Sequence, residues 1–528
     1  MPIFSFRFFL AYWITFASIA LCSATEMPKI IQRDGRYALL VDGRPYVILG
    51  GQINNSSAWP ASLPEVWPLL ESMHANTIEA PVYWEQMEPR PGEFDFSMVD
   101  ELLKQTRDHK LQLVLLWFGT WKNGRMHYVP EWMKLNSKQY PRVINERGEP
   151  TDVLSANAGA NLQADKRAFT ALMRHLREID SDQHTVLLVQ VENESGSLGS
   201  VRDFSPAAER EFQGQVPGEL VKVFHKQPGT WKQVFGADAN ETFAAYSVAR
   251  YINEVARAGK AEFPLPLYVN VWLKQQDNLV PGLNYPSGGA TYNMLDVWKA
   301  TASVIDMIGP DIYTDDSDLY RKTLREYHRP DNAMWIPETG GSDSDARYFF
   351  YALGEGAIGF SPFGMDRTGW TYKPDEVPAL HAENFALILP MDREIARLSF
   401  EGKLKTAVEE EGEFQRELDF GKWQATVSFG FPQFDGGPKP PGTKDHHGRA
   451  LVAQLSENKF LVTGIDARIE FHLPSGAAGQ HVQLLRVEEG AYENDKWKFL
   501  RLWNGDQTDF GLNFTHQGKV VHARLGVY

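Results

Sequence analysis

Leu187-Leu188-Val189-Gln190-Val191-Glu192-Asn193-Glu194-Ser195-Gly196 begins as an apolar run and ends in three consecutive polar residues, two of them acidic. The apolar half has the length and texture of a buried strand, and the polar half marks where that strand emerges. Desolvating an ionised carboxylate is costly and drives its pKa upward, so a carboxyl placed there must be hydrogen-bonded or must have a task. Taken alone, the same residues would serve equally well to turn the chain into a helix. The rest of the chain decides between these readings.

Outward from this stretch, strand-like and helix-like runs alternate. Upstream, strands read at 46–51, 77–84 and 111–117, with helices at 63–73, 98–110 and 166–179. The stretch itself supplies the fourth strand, 185–191, followed by an irregular charged insertion at 202–239 and a helix at 241–263. Further strands fall at 265–272, 303–312, 334–338 and 357–360, with helices at 294–302, 319–328, 345–353 and 377–398. Short apolar strands, each followed by a helix, predict an α/β fold, a (β/α)8 TIM barrel over residues 25–400. A doubly wound sheet is the alternative. It would bring a glycine-rich phosphate turn after the first strand, and Gly50-Gly51-Gln52-Ile53-Asn54 lacks that spacing. Past residue 400 the texture changes: turn clusters such as Asp435-Gly436-Gly437-Pro438 and Pro440-Pro441-Gly442 separate strand-length runs at 459–463, 467–472 and 481–487. Residues 401–528 therefore read as an all-β, sandwich-like C-terminal domain.

Composition narrows the partners. The 528-residue chain is 43% hydrophobic and carries a net charge of −15, with a pI near 5.5. That charge leaves no phosphate-tracking basic surface and argues against nucleic acid. Fifteen tryptophans and nineteen tyrosines suit the apolar faces of sugars, although most serve the core. At the N-terminus, Arg7 precedes an apolar run, 8–21, and then Cys22, Ser23 and Ala24. This is the layout of a secretory signal peptide, too short for a membrane span, so residues 1–24 are expected to be removed. Cys22 is the only cysteine, so the exported chain would hold no disulfide, which fits a bacterial envelope: periplasmic or extracellular, with lipid attachment at Cys22 as the envelope-attached variant. No stable membrane insertion is expected, and the sequence is silent on oligomeric state.

In a parallel barrel the βα loops open on one face, so strand ends carry the chemistry. The fourth strand ends in Asn193-Glu194, and the seventh, Met334-Trp335-Ile336-Pro337, ends in Glu338. Two carboxyls at one mouth are what glycoside hydrolysis needs, one to protonate the leaving oxygen and one to attack the sugar carbon. Glu194 is expected to have the raised pKa, and Glu338 to be held ionised by Tyr313 at the end of the sixth strand. Asn193 would donate to the sugar 2-hydroxyl. Trp121 and Asn123 after the third strand, Tyr83 after the second and Trp272 after the fifth are expected to line the pocket, with Asn54 a weaker candidate. Glu192, two residues before Glu194, is expected deeper in the barrel, paired with an arginine or lysine. His446-His447 lacks further ligands at metal spacing and reads as solvated; Ser195 sits in no nucleophile elbow. The scheme requires no metal and no organic cofactor.

The motifs VQVENESG at 189–196, WIPETGG at 335–341 and EPRPGEFDF at 88–96 resemble the retaining β-galactosidases of glycoside hydrolase family 35. The resemblance implies a barrel with acid/base Glu194 and nucleophile Glu338, acting on an oligosaccharide or polysaccharide. It further implies exo-action on terminal β-galactose, as in plant cell-wall xyloglucan fragments. There are departures: Ser195 replaces the family's tyrosine, its YVPWN pattern becomes Pro81-Val82-Tyr83-Trp84-Glu85, and its AEWE becomes a segment containing Lys122-Asn123-Gly124. These positions hold sugar hydroxyls in the family, so the departures bear on which sugar is taken. The alternatives are another exo-β-glycosidase, for glucosides, mannosides or fucosides, and a catalytically inactive glycan-binding barrel.

Overall fold

The computed structural model describes residues 26–366, 378–430, 442–474 and 479–528. The expected export segment, the turn clusters at 435–438 and 440–441, and residue 377 lie outside them. Strands β1 (Ile48–Gln52), β2 (Thr77–Tyr83), β3 (Gln112–Phe118), β4 (Val186–Val191), β5 (Leu267–Trp272), β6 (Met307–Ile312), β7 (Ile336–Thr339) and β8 (Gly359–Pro362) form a closed barrel. Neighbours are parallel throughout, and β8 returns to β1. Every residue of β2 and β4 is buried, because helices cover one face and barrel side chains fill the other; that is why these strands read as unbroken apolar runs.

Two long helices cover β4 on the outside. Gly159–Asp180 buries Asn161, Ala164, Asp165, Ala168, Phe169, Leu172, Met173 and Leu176, a stripe of three- and four-residue steps, against Ala239–Glu262. Gly259 permits the contact, since a Cβ there would meet the Phe169 ring at 2.3 Å. Between β4 and the second of these helices, the insertion expected to be irregular holds three short helices, Pro206–Phe212, Gly218–Val223 and Trp231–Phe235. Local capping starts the first and third of them: Ser205 precedes Pro206 and accepts from Ala208 N, and Thr230 with Gln233 forms a capping box. The helix expected as one piece up to residue 398 is two, Ala379–Ile388 and Asp392–Phe400, joined by a 3-10 turn at Leu389–Met391. Pro390 lies in that turn and cannot donate to a helical ladder.

Two antiparallel sheets, of six and four strands, follow from Leu404 onward. Their facing sides enclose Trp423, Val427, Phe429, Val452, Val462 and Ile469. Strand Arg449–Ser456 is apolar on both faces because it has two hydrophobic neighbours: Ala450 and Val452 point into the sandwich, while Leu451 and Ala453 belong to the barrel's core. The six-stranded sheet is thus packed onto the barrel. A three-stranded meander, Lys29–Arg33, Arg36–Val41 and Arg44–Tyr46, precedes β1 and packs on Asp392–Phe400; the strand spacing had not announced it.

Candidate active site

At the end of β4 the chain leaves the ladder abruptly. Glu192 (φ 66°) and Glu194 (φ 43°) both adopt the left-handed conformation, which non-glycine residues seldom occupy and which concentrates at functional sites. Other elements hold this strained turn. The Asn193 N–H donates to Trp121 O at 3.2 Å, Gly124 N–H donates to Glu194 O at 3.0 Å, and Glu194 N–H donates to Asn270 Oδ1 at 2.9 Å. Gly196 follows at φ 128°, where a Cβ would meet Ser287 O at 2.7 Å.

Glu194, Asp311 and Glu338 converge at the mouth. All three are buried, and one carboxyl oxygen from each lies within 4.8 Å of the others. The two oxygens of Glu338 are each held by one donor: Tyr313 Oη donates to Oε1 at 2.7 Å, and Gln52 Nε2 donates to Oε2 at 2.9 Å. Tyr313 exposes 43% of its surface, but its hydroxyl is turned inward, and burial together with Glu338 pushes its pKa well up, so it remains a donor. Glu194 is pushed up to about 7, first by burial and then by the charge of Glu338; Lys122 and the neighbouring Asp311 side chain pull it back. Among the described residues, the three carboxyls are the group close enough to hold a cation, yet Asp311 is pushed well up by burial, Glu338 and Glu194. Carboxyls that keep their protons are poor metal ligands, and Lys122 stands beside them, so the donor set suits proton chemistry.

Asn193 is oriented by Lys122, whose Nζ donates to Oδ1 at 2.9 Å. Lysine only donates, so the atom facing it must be the amide oxygen, and the amide nitrogen is left pointing away. Among the described residues that nitrogen is buried with no acceptor. Lys122 is itself 4% exposed and sits 5.0 Å from the Phe118 ring. It also lines a cleft of about 640 Å³ with Asn54, Asn55, Ser57, Asn123 and Tyr128, from the loops after β1 and β3. Among the described residues, the side-chain oxygens of Asn55 and Asn123 there have no donor.

The other expected pocket residues divide. Trp272, at the end of β5, is 37% exposed and offers a free face. Asn123, at φ 53°, lines the cleft. Trp121 does not present its ring: it is 1% exposed and packs edge-on against Tyr251. Tyr83 is likewise buried, accepting from Ala58 N at 3.3 Å and stacked between Trp59 and Tyr128. It supports the cleft from beneath.

Two expectations about partners are overturned. Glu192 meets no arginine or lysine; its neighbour is Asp165, and burial followed by Asp165 pushes it well up. Burial raises both carboxyls, so the pair is accommodated by favouring the protonated form rather than by a buried cation. His446 and His447 are half-buried rather than solvated, with His446 Nδ1 3.8 Å from the buried Glu409.

Gln52, Glu79, Asn270 and Asp311 are not among the candidates the sequence offers, and Lys122 enters there only through its place in the Lys122-Asn123-Gly124 segment. Glu79 is fully buried in register with Gln52, pushed well up by burial, and accepts from Tyr268 Oη at 3.3 Å. Period-two alternation offered a signal for one of them, since Asp311 lies two residues before Tyr313. Asn270 was legible only as a polar residue within an apolar strand.

Residues 57–243 match the β-galactosidase model of glycoside hydrolase family 42, and residues 381–515 match a domain of unknown function, DUF5597. The match is to family 42 rather than to the family 35 that the motifs resemble. Beta-galactosidase 11 of Arabidopsis thaliana is 34% identical over 80 residues, covering 14% of this chain and 9% of that protein. Among solved structures, the β-galactosidase of Bacillus circulans sp. alkalophilus aligns with TM-score 0.48 and 14% identity, over 66% of this chain and 57% of its own. The cold-adapted β-galactosidase of Rahnella sp. R3 aligns with TM-score 0.49 and 17% identity, over 67% and 58%. The chain thus spans a small part of the curated relative and less than two thirds of these structures. The family 42 match over 57–243 falls on the half of the closed barrel that carries Glu194, one of the three converging carboxyls.

Proposed function

We propose that this chain is a retaining exo-β-galactosidase, exported to the periplasm or outside the cell, that removes terminal β-linked galactose from plant cell-wall glycans such as xyloglucan fragments. The observation that carries the chemistry is the approach of Glu194 and Glu338, whose carboxyl oxygens come within 4.8 Å. Retaining enzymes hold their carboxyls about 5–5.5 Å apart, whereas inverting ones leave about 6.5–9.5 Å for a water. Glu338, aimed by Tyr313 and Gln52, attacks the anomeric carbon while Glu194 protonates the glycosidic oxygen. The leaving group departs with that proton and a glycosyl ester forms on Glu338. Glu194, now ionised, takes a proton from water as its oxygen displaces Glu338, and both carboxyls return to their starting states.

The galactoside choice is supported by the family-35-like motifs and the family 42 match. Export is supported by the layout of residues 1–24, and no helix among the described residues is long and apolar enough to cross a membrane. Lys122 and Asn123, where the resemblance leads one to expect acidic residues, favour a second reading with a different terminal sugar. A panel of nitrophenyl β-glycosides separates the two: hydrolysis of another glycoside with none of the galactoside sinks the galactosidase. Glu338→Ala should lower kcat on the order of 10⁴-fold or more, with azide restoring turnover as a glycosyl azide. An unchanged rate removes Glu338 as nucleophile.

A further inference from the structure

Asp311 is the buried carboxyl to which double displacement assigns no task. It is 4% exposed on β6, in register with Glu338 on β7 and Trp272 on β5. Its Oδ2 accepts from Asn270 Nδ2 at 2.7 Å, and the same amide accepts from Glu194 N–H through Oδ1 at 2.9 Å. One side chain therefore ties Asp311 to the main chain of Glu194. The other oxygen, Oδ1, has no donor among the described residues. It faces carboxyls, and two carboxyls that meet away from water stay together only with a proton between them.

We propose that Asp311 is the positioning residue of the acid/base, a neutral carboxylic acid whose O–H donates to Glu194 and keeps that carboxyl aimed through both halves of the reaction. The inference rests on the reading of Glu194 as acid/base. When Glu194 has protonated the leaving group, its carboxylate accepts the Asp311 O–H. The proton stays on Asp311, and Glu194 is reprotonated by the attacking water, so Asp311 starts and ends each cycle neutral. The groups facing Asp311 are Glu194, Glu338 and Lys122, with the phenols of Tyr268, Tyr313 and Tyr327. Burial and the two carboxyls favour its neutral form, and Lys122 opposes them.

The test compares Asp311→Asn with Asp311→Ala in the full chain. The asparagine amide can donate to Glu194 and accept from Asn270, so D311N should keep kcat within about tenfold of the parent, with the alkaline limb of kcat/KM near its place. D311A removes the donor that favours ionised Glu194. Its alkaline limb should move to higher pH and its kcat should fall on the order of 10²-fold, with KM changed by less than about threefold. Asp311→Ser is read in the same way should D311A not fold. An alkaline limb that does not move in D311A, or D311N as slow as D311A, overturns the inference. Glu194→Gln is assayed beside them on galactosides with good and poor leaving groups. If its loss does not depend on the leaving group, the acid/base assignment itself fails; if it does depend on it and the D311A limb is unmoved, only the role of Asp311 falls.

Discussion

Two carboxyl pairs stand two residues apart on the same strand end, Glu192 with Asp165 and Glu194 with Asp311. All four are buried, and burial is the first cause of the raised pKa in each. Their surroundings differ. Asp165 accepts from Trp117 Nε1 at 3.0 Å, Thr120 Oγ1 at 2.7 Å and Tyr251 Oη at 3.1 Å, while Glu192 accepts from Trp121 N at 2.7 Å. Donors close that pair in on the outer side of the barrel, beneath the long helix that carries Asp165. Around Glu194 the fixed partners are fewer, and among the described residues the neighbouring Asn193 amide nitrogen has none. In the same strained turn, the Glu192 pair is closed in by donors that fall mostly on Asp165, whereas the Glu194 pair lies beside Glu338 and Lys122.

The contrast can be broken from either side. The largest effect after that of Glu338 is expected at Glu194: Glu194→Gln should slow a poor-leaving-group galactoside on the order of 10³-fold and an activated aryl galactoside far less. In the parent, kcat/KM should fall as pH rises through about 7, because the acid must carry its proton. A flat profile from pH 5 to 9 would contradict this. Asn193→Ala should cost about 10²-fold in kcat, and much less on a 2-deoxy galactoside, since the lost donor serves the 2-hydroxyl. Equal losses on both substrates would remove that role.

The smallest effect on rate is expected at Glu192→Gln, where the amide can accept from Trp121 N–H and donate to Asp165; activity should change by a few-fold at most. Its signature is stability. Glu192 and Asp165 have folded pKa values raised above their ordinary 4.5 and 3.8, so the stability they contribute is complete below those values and is lost as pH rises through the folded ones. Glu192→Gln removes one of the two titrations and should flatten the alkaline decline of Tm. A decline as steep as the parent's would show that the pair is not its source.

Much of the fold was legible because its signals are local. Apolar runs bounded by helical patterns located every barrel strand, though ends shifted by a few residues, as where Pro390 split the last helix. The candidate site was legible to the extent that a strand end reveals it: Glu194 and Glu338 converge, and Tyr313 donates to Glu338. Trp121 and Tyr83 were misread for the same reason. Following a strand says that a side chain lies near the mouth, while its rotation into the core depends on what packs beside it, here Tyr251 for one and Trp59 with Tyr128 for the other.

By itself, the sequence determined the alternation of strand and helix and the two glutamates at the ends of β4 and β7, because hydrophobic period and residue type are properties of short segments. Only the tertiary structure decided what each carboxyl faces. The partner of Glu192 is an aspartate from a helix that precedes its strand, that of Glu194 an aspartate two strands further round the barrel, and Lys122 turns Asn193 across a loop. Such partners meet through barrel closure. No spacing along the chain encodes which of these two glutamates will meet Asp165 and which will meet Asp311 and Glu338.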